Sequence, residues 1–174
     1  MEDYFSQETD RLYFRKLTER DIDSWVEFFH DNPCLPYLGI DLNKSNEVIA
    51  KEWITIQIER YKNNQFGHLA AIEKSTGHFI GMAGILTRQI DDELLFEIAY
   101  SLKPKFWGKG YGTEMAQQIR KFGEMNKLAS KFISIIDKNN IRSIKVAEKN
   151  GMHINKETSY LGMEVFIFST NSKL

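Results

Sequence analysis

The sequence has little cysteine and little proline, and it has no excess of charge of either sign. It contains one cysteine, Cys34, and three prolines among 174 residues. A single cysteine excludes a disulfide within the chain, which fits a reducing compartment. The formal net charge is −1, with 23 basic and 24 acidic residues. Because nucleic-acid-binding domains are usually basic, we expect no nucleic-acid partner.

Long apolar runs are also missing. No stretch reaches the roughly 20 apolar residues that span a bilayer, and residues 1–10 are acidic and polar, unlike a signal peptide. We therefore expect a cytoplasmic protein without a membrane partner. The four histidines lack the spacing of metal ligands, so no metal is expected. The length predicts a single domain over residues 1–174, with a flexible N-terminus at residues 1–9.

Three glycines in the middle of the chain are the most informative feature that is present. They lie in the segment Trp107-Gly108-Lys109-Gly110-Tyr111-Gly112. Residues 93–102 before it are rich in Leu, Phe, Ile and Tyr and predict a strand, and apolar residues at helical spacing predict a helix from Thr113. Glycines allow backbone N–H groups to converge on an anion, and a helix N-terminus adds positive potential. This loop predicts a phosphate-binding site.

The spacing of the glycines excludes two common phosphate loops. The pattern is G-x-G-x-G followed by Thr113, whereas a dinucleotide fold requires G-x-G-x-x-G near its first strand. A Walker loop requires Ser or Thr after Gly-Lys, and Gly110 follows Lys109 here. Too few residues follow Gly112 to complete a doubly wound sheet. An NAD-dependent or nucleotide-binding protein is therefore disfavoured.

At these residues the chain resembles the GNAT superfamily of acyl-coenzyme A N-acyltransferases. That signature is Gln or Arg, two residues, Gly, one residue, then Gly or Ala, and Trp107, Gly110 and Gly112 occupy its three positions. Trp at the first position departs from the general pattern. The segment that it opens is nevertheless similar to the Rim-type branch, which acetylates ribosomal-protein N-termini. The second motif of that branch is matched downstream by Asn-Ile-Arg-Ser at 140–143 and Glu-Lys-Asn-Gly-Met at 148–152.

The resemblance implies an α/β (α+β) fold. Its central sheet is mixed but mostly antiparallel, has about seven strands splayed between strands 4 and 5, and is flanked by about four helices. Residue patterns give the matching order β-α-α-β-β-β-α-β-α-β-β. The predicted strands are 11–17, 66–74, 79–89, 93–102, 132–136, 153–159 and 163–169. Thr18 and Ser45 are predicted caps of the first two helices, and Gly151 is the predicted end of the last.

The resemblance further implies that acetyl-CoA is the cosubstrate. By position, Ser101 and Leu102 would offer backbone groups to its pantetheine arm. The loop and Thr113 would hold its pyrophosphate, with Lys109 adding charge. Asn140 would either bond the pantetheine or a water, or simply cap a helix.

Glu97 is the predicted general base, because it is the only charge in the otherwise apolar stretch of residues 94–100 and an amine must lose a proton before it attacks. The alternative is an ion pair with a residue such as Arg88. Many family members use a tyrosine to protonate the leaving thiolate, but Ala147 stands at that position. Ser143 is the predicted replacement. An acyl-enzyme at Cys34 is disfavoured, because its surroundings Asn-Pro-Cys-Leu-Pro at 32–36 predict a loop.

The acceptor amine is left open between a peptide N-terminus, a polyamine and a small molecule. Phe29, Tyr37, Leu38 and Tyr160 are predicted to contact it, and acidic residues around the first helix, such as Asp21 and Glu27, would attract a cation. The sequence leaves the oligomeric state open between monomer and homodimer. It predicts an N-acetyltransferase, with a non-catalytic acyl-CoA sensor as the alternative.

Overall fold

A computed structural model describes residues 3–170 as one seven-stranded sheet with helices on both faces. The strands are β1 Leu12–Arg15, β2 His68–Glu73, β3 Phe79–Ile90, β4 Glu93–Leu102, β5 Phe132–Asp137, β6 His153–Tyr160 and β7 Met163–Ser169. The α-helices in this range are α1 Ile22–Val26, α2 Asn46–Lys62, α3 Tyr111–Met125 and α4 Ile141–Lys149. The strand order is β1-β2-β3-β4-β5-β7-β6. The predicted fold class and element order are confirmed.

The sheet opens between β4 and β5, its parallel pair. These strands pair only at Phe96 with Phe132 and at Glu97 with Ile133. Beyond Glu97, β4 stays paired with β3 as far as Leu102, but β5 has turned away. The Ser134 hydroxyl donates a hydrogen bond of 2.7 Å to the Ile98 carbonyl where the ladder ends. The predicted splay therefore creates a cleft bounded by the C-terminal half of β4.

Two apolar cores fix the helices that surround this cleft. On one face, α3 buries Met115, Ile119 and Phe122 against the sheet, as its helical spacing predicts. On the other face, α1 and α2 pack around the fully buried Trp25. Ser45 caps α2 through its side chain, as predicted. In residues 3–170 no helix has both the length and the apolar character needed to cross a membrane.

The segment that was predicted to be flexible is packed on the sheet in its described part. Tyr4 is buried, its hydroxyl donates to the Gly67 carbonyl at 2.5 Å, and the Ile85 N–H donates to the same hydroxyl at 2.8 Å. Residues 3–9 therefore contact the rest of the fold, whereas residues 1 and 2 lie outside the described range. The flexibility of residues 1–9 stays a prediction. A three-residue 3-10 turn, Tyr4–Ser6, is too short to give a periodic pattern in the sequence.

The first predicted helix is broken into three short pieces. A 3-10 turn, Glu19–Asp21, precedes α1, and a second one, Glu27–Phe29, follows it. Thr18 caps the first piece in a capping box with Asp21, as the sequence predicts. Because a 3-10 segment turns 120° per residue instead of 100°, the face of each residue after Val26 differs from that of a continuous α-helix.

Candidate active site

Two cavities meet at the cleft. The larger, of about 270 Å³, lies between the end of β4, the glycine loop and α4. The smaller, of about 160 Å³, lies over β4, β5 and the β6–β7 hairpin. Both are lined by Leu38, Tyr100, Ser101, Asn140 and Ser143. The two cavities therefore adjoin at Ser101 and Ser143.

The glycine loop forms one end of the larger cavity. Gly108 and Gly110 have φ of 78° and 83°, a left-handed conformation that favours glycine, and Gly110 is the N-cap of α3. The first N–H groups of α3 have no partner within the helix and are available to an anion. The predicted residues that line this cavity are Ser101, Leu102, Trp107, Gly108, Gly110, Tyr111, Gly112, Thr113, Asn140 and Ser143.

Contacts from three other segments hold the loop in place. The Trp107 indole donates a hydrogen bond of 2.7 Å to the Leu102 carbonyl, which ties the loop to the end of β4. Arg11 donates to the Lys109 carbonyl at 3.0 Å and lies over the Tyr111 ring, 4.2 Å from its centroid. The Tyr111 hydroxyl bonds the Glu73 carboxylate. The Tyr111 side chain is therefore engaged with the scaffold.

Lys109 does not line the larger cavity. Its ammonium lies 5.4 Å from the centroid of the Phe106 ring. The predicted contact of Lys109 with a phosphate stays a prediction. Positive charge enters instead from α4 through Arg142, Lys145 and Lys149, which sequence analysis did not single out. Their spacing of three and four residues places them on one helix face, and this pattern could have revealed them.

The start of α4 brings Asn140 and Ser143 to the junction of the cavities. The buried Asn140 caps the helix, because its Oδ1 accepts from the Ser143 N–H at 3.2 Å. The Tyr100 hydroxyl donates to the Ser143 carbonyl at 2.9 Å. Burial, with Glu97 adding to it, raises the pKa of Tyr100 well above its usual value. The Ser143 hydroxyl makes no hydrogen bond to another residue in the range 3–170.

Glu97 lies in the smaller cavity, where Arg88 is its ion-pair partner. Its Oε2 is 2.5 Å from Nε of Arg88, and its side chain is 8% exposed. Burial acts to lower the pKa of Arg88, but Glu97 and then Tyr160 raise it above its usual value. The predicted placement in a cleft and the alternative ion pair thus both occur. A strand pattern reveals a buried charge but not its partner across the hairpin.

His68 is a residue of the smaller cavity that the sequence analysis missed. Burial, with Arg88 and Arg60 adding to it, lowers its pKa to about 3, so its imidazole is neutral. The Trp53 indole lies 3.5 Å from its Nδ1 as a weak donor. The only feature that could have pointed to His68 as a cavity residue is its place at the start of a strand whose residues are all buried. No cluster of potential metal ligands occurs within the described chain.

Three of the four predicted acceptor contacts line the smaller cavity: Tyr37, Leu38 and Tyr160. Phe29 lines neither cavity. It is buried in the aromatic cluster around Trp25 and Trp53, so its predicted role is corrected to core packing. Its neighbour Phe28 lines the larger cavity instead.

The two acidic residues that were predicted to attract the acceptor, Asp21 and Glu27, do not line the smaller cavity. Asp21 is paired with Arg15, and Glu27 is paired with Lys103 and Lys105. Cys34 lines the larger cavity, but burial raises the pKa of its thiol, with only Arg142 opposing. This does not favour a thiolate nucleophile.

Comparison with known proteins decides the family. A model of an acetyltransferase (GNAT) domain matches residues 11–153. The chain belongs to the GNAT acetyltransferase family. It is 28% identical to YkkB of Bacillus subtilis over 164 residues, which are 94% of each chain.

Solved structures of this GNAT fold include ribosomal-protein acetyltransferases. The ribosomal-protein-S5-alanine acetyltransferase of Vibrio fischeri superposes with a TM-score of 0.74 at 16% identity, covering 94% of both chains. RimL, a ribosomal L7/L12 α-N-protein acetyltransferase in complex with coenzyme A, gives 0.75 at 15% identity over 92% of this chain and 94% of that one. These likenesses show that the fold is shared.

Proposed function

We propose that this GNAT chain transfers an acetyl group from acetyl-CoA directly to a primary amine. The observation that carries the proposal is the opposite charge of the two adjoining cavities. The charged residues that line the larger one are the cations Arg142, Lys145 and Lys149. The smaller one has two carboxylates, Glu97 and Asp137, against one cation, Arg88. A polyanionic thioester fits the first cavity, and an ammonium fits the second.

The larger cavity suits the parts of acetyl-CoA in order. The glycine loop and the N-terminus of α3 would take the diphosphate. The amides of the pantetheine arm would pair with the open edge of β4 near Ser101, as an added strand does. This arrangement would bring the thioester to the junction near Ser143. The coenzyme A complex of the similar RimL supports the same type of ligand here.

At the junction the amine must first become neutral, since an ammonium has no lone pair. Glu97 would accept its proton, directly or through a water. The nitrogen then forms a bond to the acetyl carbon, and the C–S bond breaks with its electron pair going to the sulfur. The nitrogen releases its second proton to the departing thiolate, directly or through a water, so that the products are the amide and the thiol of coenzyme A. The hydroxyl of Ser143 would donate a hydrogen bond to that sulfur. No step uses Cys34.

Among the acceptors, the smaller cavity favours a monoamine over a polyamine. A polyamine carries several separated positive charges and needs several free carboxylates. Here Glu97 is neutralised by Arg88, and Asp137 accepts from the Asn139 backbone and side chain. Aromatic walls, including Tyr37, Trp53 and Tyr160, suit an apolar or aromatic body next to one amine.

The test is a thiol-release assay with acetyl-CoA and a panel of amines. The panel pairs phenethylamine and an N-terminally free Ala-Phe peptide with spermidine, and mass spectrometry checks for one added acetyl group. We expect release with at least one monoamine and little with spermidine. Binding of acetyl-CoA without release for any amine would favour the sensor instead, and preferential release with spermidine would reject the monoamine assignment.

A further inference from the structure

Arg88 is the one cation among the described residues that line the smaller cavity, and Glu97 uses only part of it. Its Nε donates to Oε2 of Glu97 at 2.5 Å, and the Tyr160 hydroxyl is a second partner. A guanidinium has several N–H donors in a planar fork, so donors of Arg88 remain for a group that enters the cavity. The Arg88 side chain is 27% exposed, against 8% for Glu97, so Arg88 is the more accessible partner of the pair.

A second arginine adds positive charge next to this pair. Arg60 of α2 is partly buried and forms no ion pair within residues 3–170. It does not line the cavity itself, but burial and then the charge of Arg88 lower its pKa, while Glu97 raises it. Two guanidinium groups therefore lie near the single carboxylate of Glu97. Positive charge at this end of the cavity is only partly compensated.

The charges of the smaller cavity are ordered along β4. Arg88 lies opposite the residue of β4 that precedes Glu97 by two positions. Asp137 lies four positions beyond the residue of β5 that pairs with Glu97. At about 3.3 Å per residue, the backbone of Arg88 is displaced along the sheet by about 7 Å from Glu97, and that of Asp137 by about 13 Å in the opposite direction. The cation thus lies at the end of the cavity away from Ser101, and the second carboxylate lies toward it.

An amine that also carries a carboxylate matches this order of charge. Its ammonium would lie toward Glu97 and Asp137, and its carboxylate would lie toward Arg88, whose planar fork suits two parallel hydrogen bonds to a carboxylate. We infer that Arg88 forms a carboxylate subsite in the smaller cavity, and that the acceptor is an amino acid whose apolar or aromatic side chain packs on the aromatic walls. The inference rests on the proposed function, because it requires the acceptor amine in this cavity.

The first comparison uses the parent protein and acceptors that differ at the carboxylate. L-Phenylalanine carries it, L-phenylalaninol has a hydroxymethyl group in its place, and phenethylamine lacks it, while all three keep the ring and a primary amine. Thiol release gives kcat and KM for each acceptor, and calorimetry in the presence of coenzyme A gives its dissociation constant. We expect phenylalanine to bind about tenfold or more tightly than the other two, because charge-assisted hydrogen bonds are the strong ones.

The second comparison changes the arginine. Arg88→Gln removes the guanidinium, and Arg88→Lys keeps the charge without the fork. The preference for phenylalanine over phenylalaninol should fall to about twofold or less in Arg88→Gln and should be intermediate in Arg88→Lys. Because a general loss of activity affects both acceptors alike, this ratio isolates the contact with the carboxylate. If Arg88→Gln does not fold because Glu97 is left unpaired, the parent and Arg88→Lys decide the question.

Arg120→Gln is the matched control. The Arg120 side chain is 26% exposed, its Nε lies 2.7 Å from Oε1 of Glu124, and it lines neither cavity, so this variant should keep the parental preference. Equal affinity of the parent for phenylalanine and phenylalaninol, or a preference kept in full by Arg88→Gln or by Arg88→Lys, overturns the carboxylate subsite. Thiol release with phenethylamine would then leave the proposed function standing. No release with any of the three acceptors or with the earlier amine panel would reject both.

Discussion

At the scale of single residues, the site combines one charged pair with one free hydroxyl. Glu97 is buried in the smaller cavity with Arg88, and Ser143 lies at the junction with its hydroxyl free of hydrogen bonds to the described residues. Arg88 reduces the net charge of the pair, so Glu97 differs from the lone carboxylate that the strand pattern predicts. The ion pair orients the carboxylate of Glu97, and the proposed role of this carboxylate in proton transfer can be tested directly.

Replacing Glu97 by glutamine should lower kcat about 10²-fold while coenzyme A affinity stays unchanged, because the change removes a base and Glu97 does not line the larger cavity. The loss should shrink as pH rises toward the pKa of the amine, about 10 for a lysine-like acceptor. The measurement is kcat against pH, with Glu93→Gln as a control on the same strand. Glu93 is exposed and paired only with Lys131 in the described contacts. If the Glu97→Gln variant keeps the parental kcat from pH 6 to 9, the role of Glu97 is structural.

Replacing Ser143 by alanine should slow turnover only a few-fold, because a thiolate of pKa about 8.5 is a tolerable leaving group that water can protonate. The amide of residue 143 still caps against Asn140, so the fold should be kept. Steady-state kinetics with Ser75→Ala, in the exposed β2–β3 turn, as the control would isolate this loss. Cys34→Ala should retain parental kcat. An acetylated Cys34 trapped during turnover, with ping-pong kinetics, would contradict direct transfer.

At the scale of elements, the order of strands and helices was predictable and several orientations were not. β4 is predicted at residues 93–102 and found at Glu93–Leu102, because its apolar run and the turn residues on both sides are strong signals. The side-chain capping of α2 by Ser45 is confirmed. Phe29 was misassigned because the helix becomes 3-10 after Val26, and periodicity alone does not show that change.

For the glycine loop too, the sequence predicts where the residues lie along the fold but not which way their side chains point. Its motif identifies the N-terminus of α3, which begins at Tyr111. It does not show that Lys109 lies near Phe106, nor that Tyr111 bonds Glu73, because both contacts depend on segments distant in sequence. The partner of Glu97 was named only as one alternative for the same reason. Tertiary contacts, and not local pattern, decide which side chains face a cavity.

The conformation of the loop can be tested at Gly110, which we expect to be essential for coenzyme A. Valine at this position is strained at φ of 83° and would add bulk next to the proposed diphosphate. Gly77 is a matched control, since its φ is 72° and a side chain there would meet nothing within 4 Å. Both valine variants should lose about 1–2 kcal/mol of stability. Only Gly110→Val should lose coenzyme A affinity, by tenfold or more in calorimetry, and unchanged affinity would show that the loop is not the phosphate site.

At the scale of the whole molecule, the two cavities at the open part of the sheet differ in charge. The cleft between β4 and β5 opens toward a cationic cavity on the α4 side and toward a weakly acidic cavity on the β6–β7 side. The same sheet buries His68 at the start of β2, next to the smaller cavity. A neutral histidine inside the molecule links the stability of the entire fold to pH.

The free energy of unfolding should therefore fall as the pH is lowered from about 6.5, the ordinary histidine value. Burial, and then Arg88 and Arg60, lower the pKa of His68 to about 3. Between these values the unfolded chain binds a proton that the folded chain does not, so stability is full above 6.5 and is lost toward acid, by up to about 1.4 kcal/mol per pH unit. Urea unfolding at pH 7, 6 and 5 measures this slope. These pH values lie above the range in which Asp21 contributes, because burial raises the pKa of this carboxyl but Arg15 lowers it overall.

The His68→Gln variant should have a flatter slope than the parent, even if its stability is lower overall. The exposed His153 is the control, and His153→Gln should leave the slope unchanged. An equal slope in all three proteins would show that His68 is protonated in the folded state. The smaller cavity would then be lined at this residue by a cation and not by a neutral imidazole.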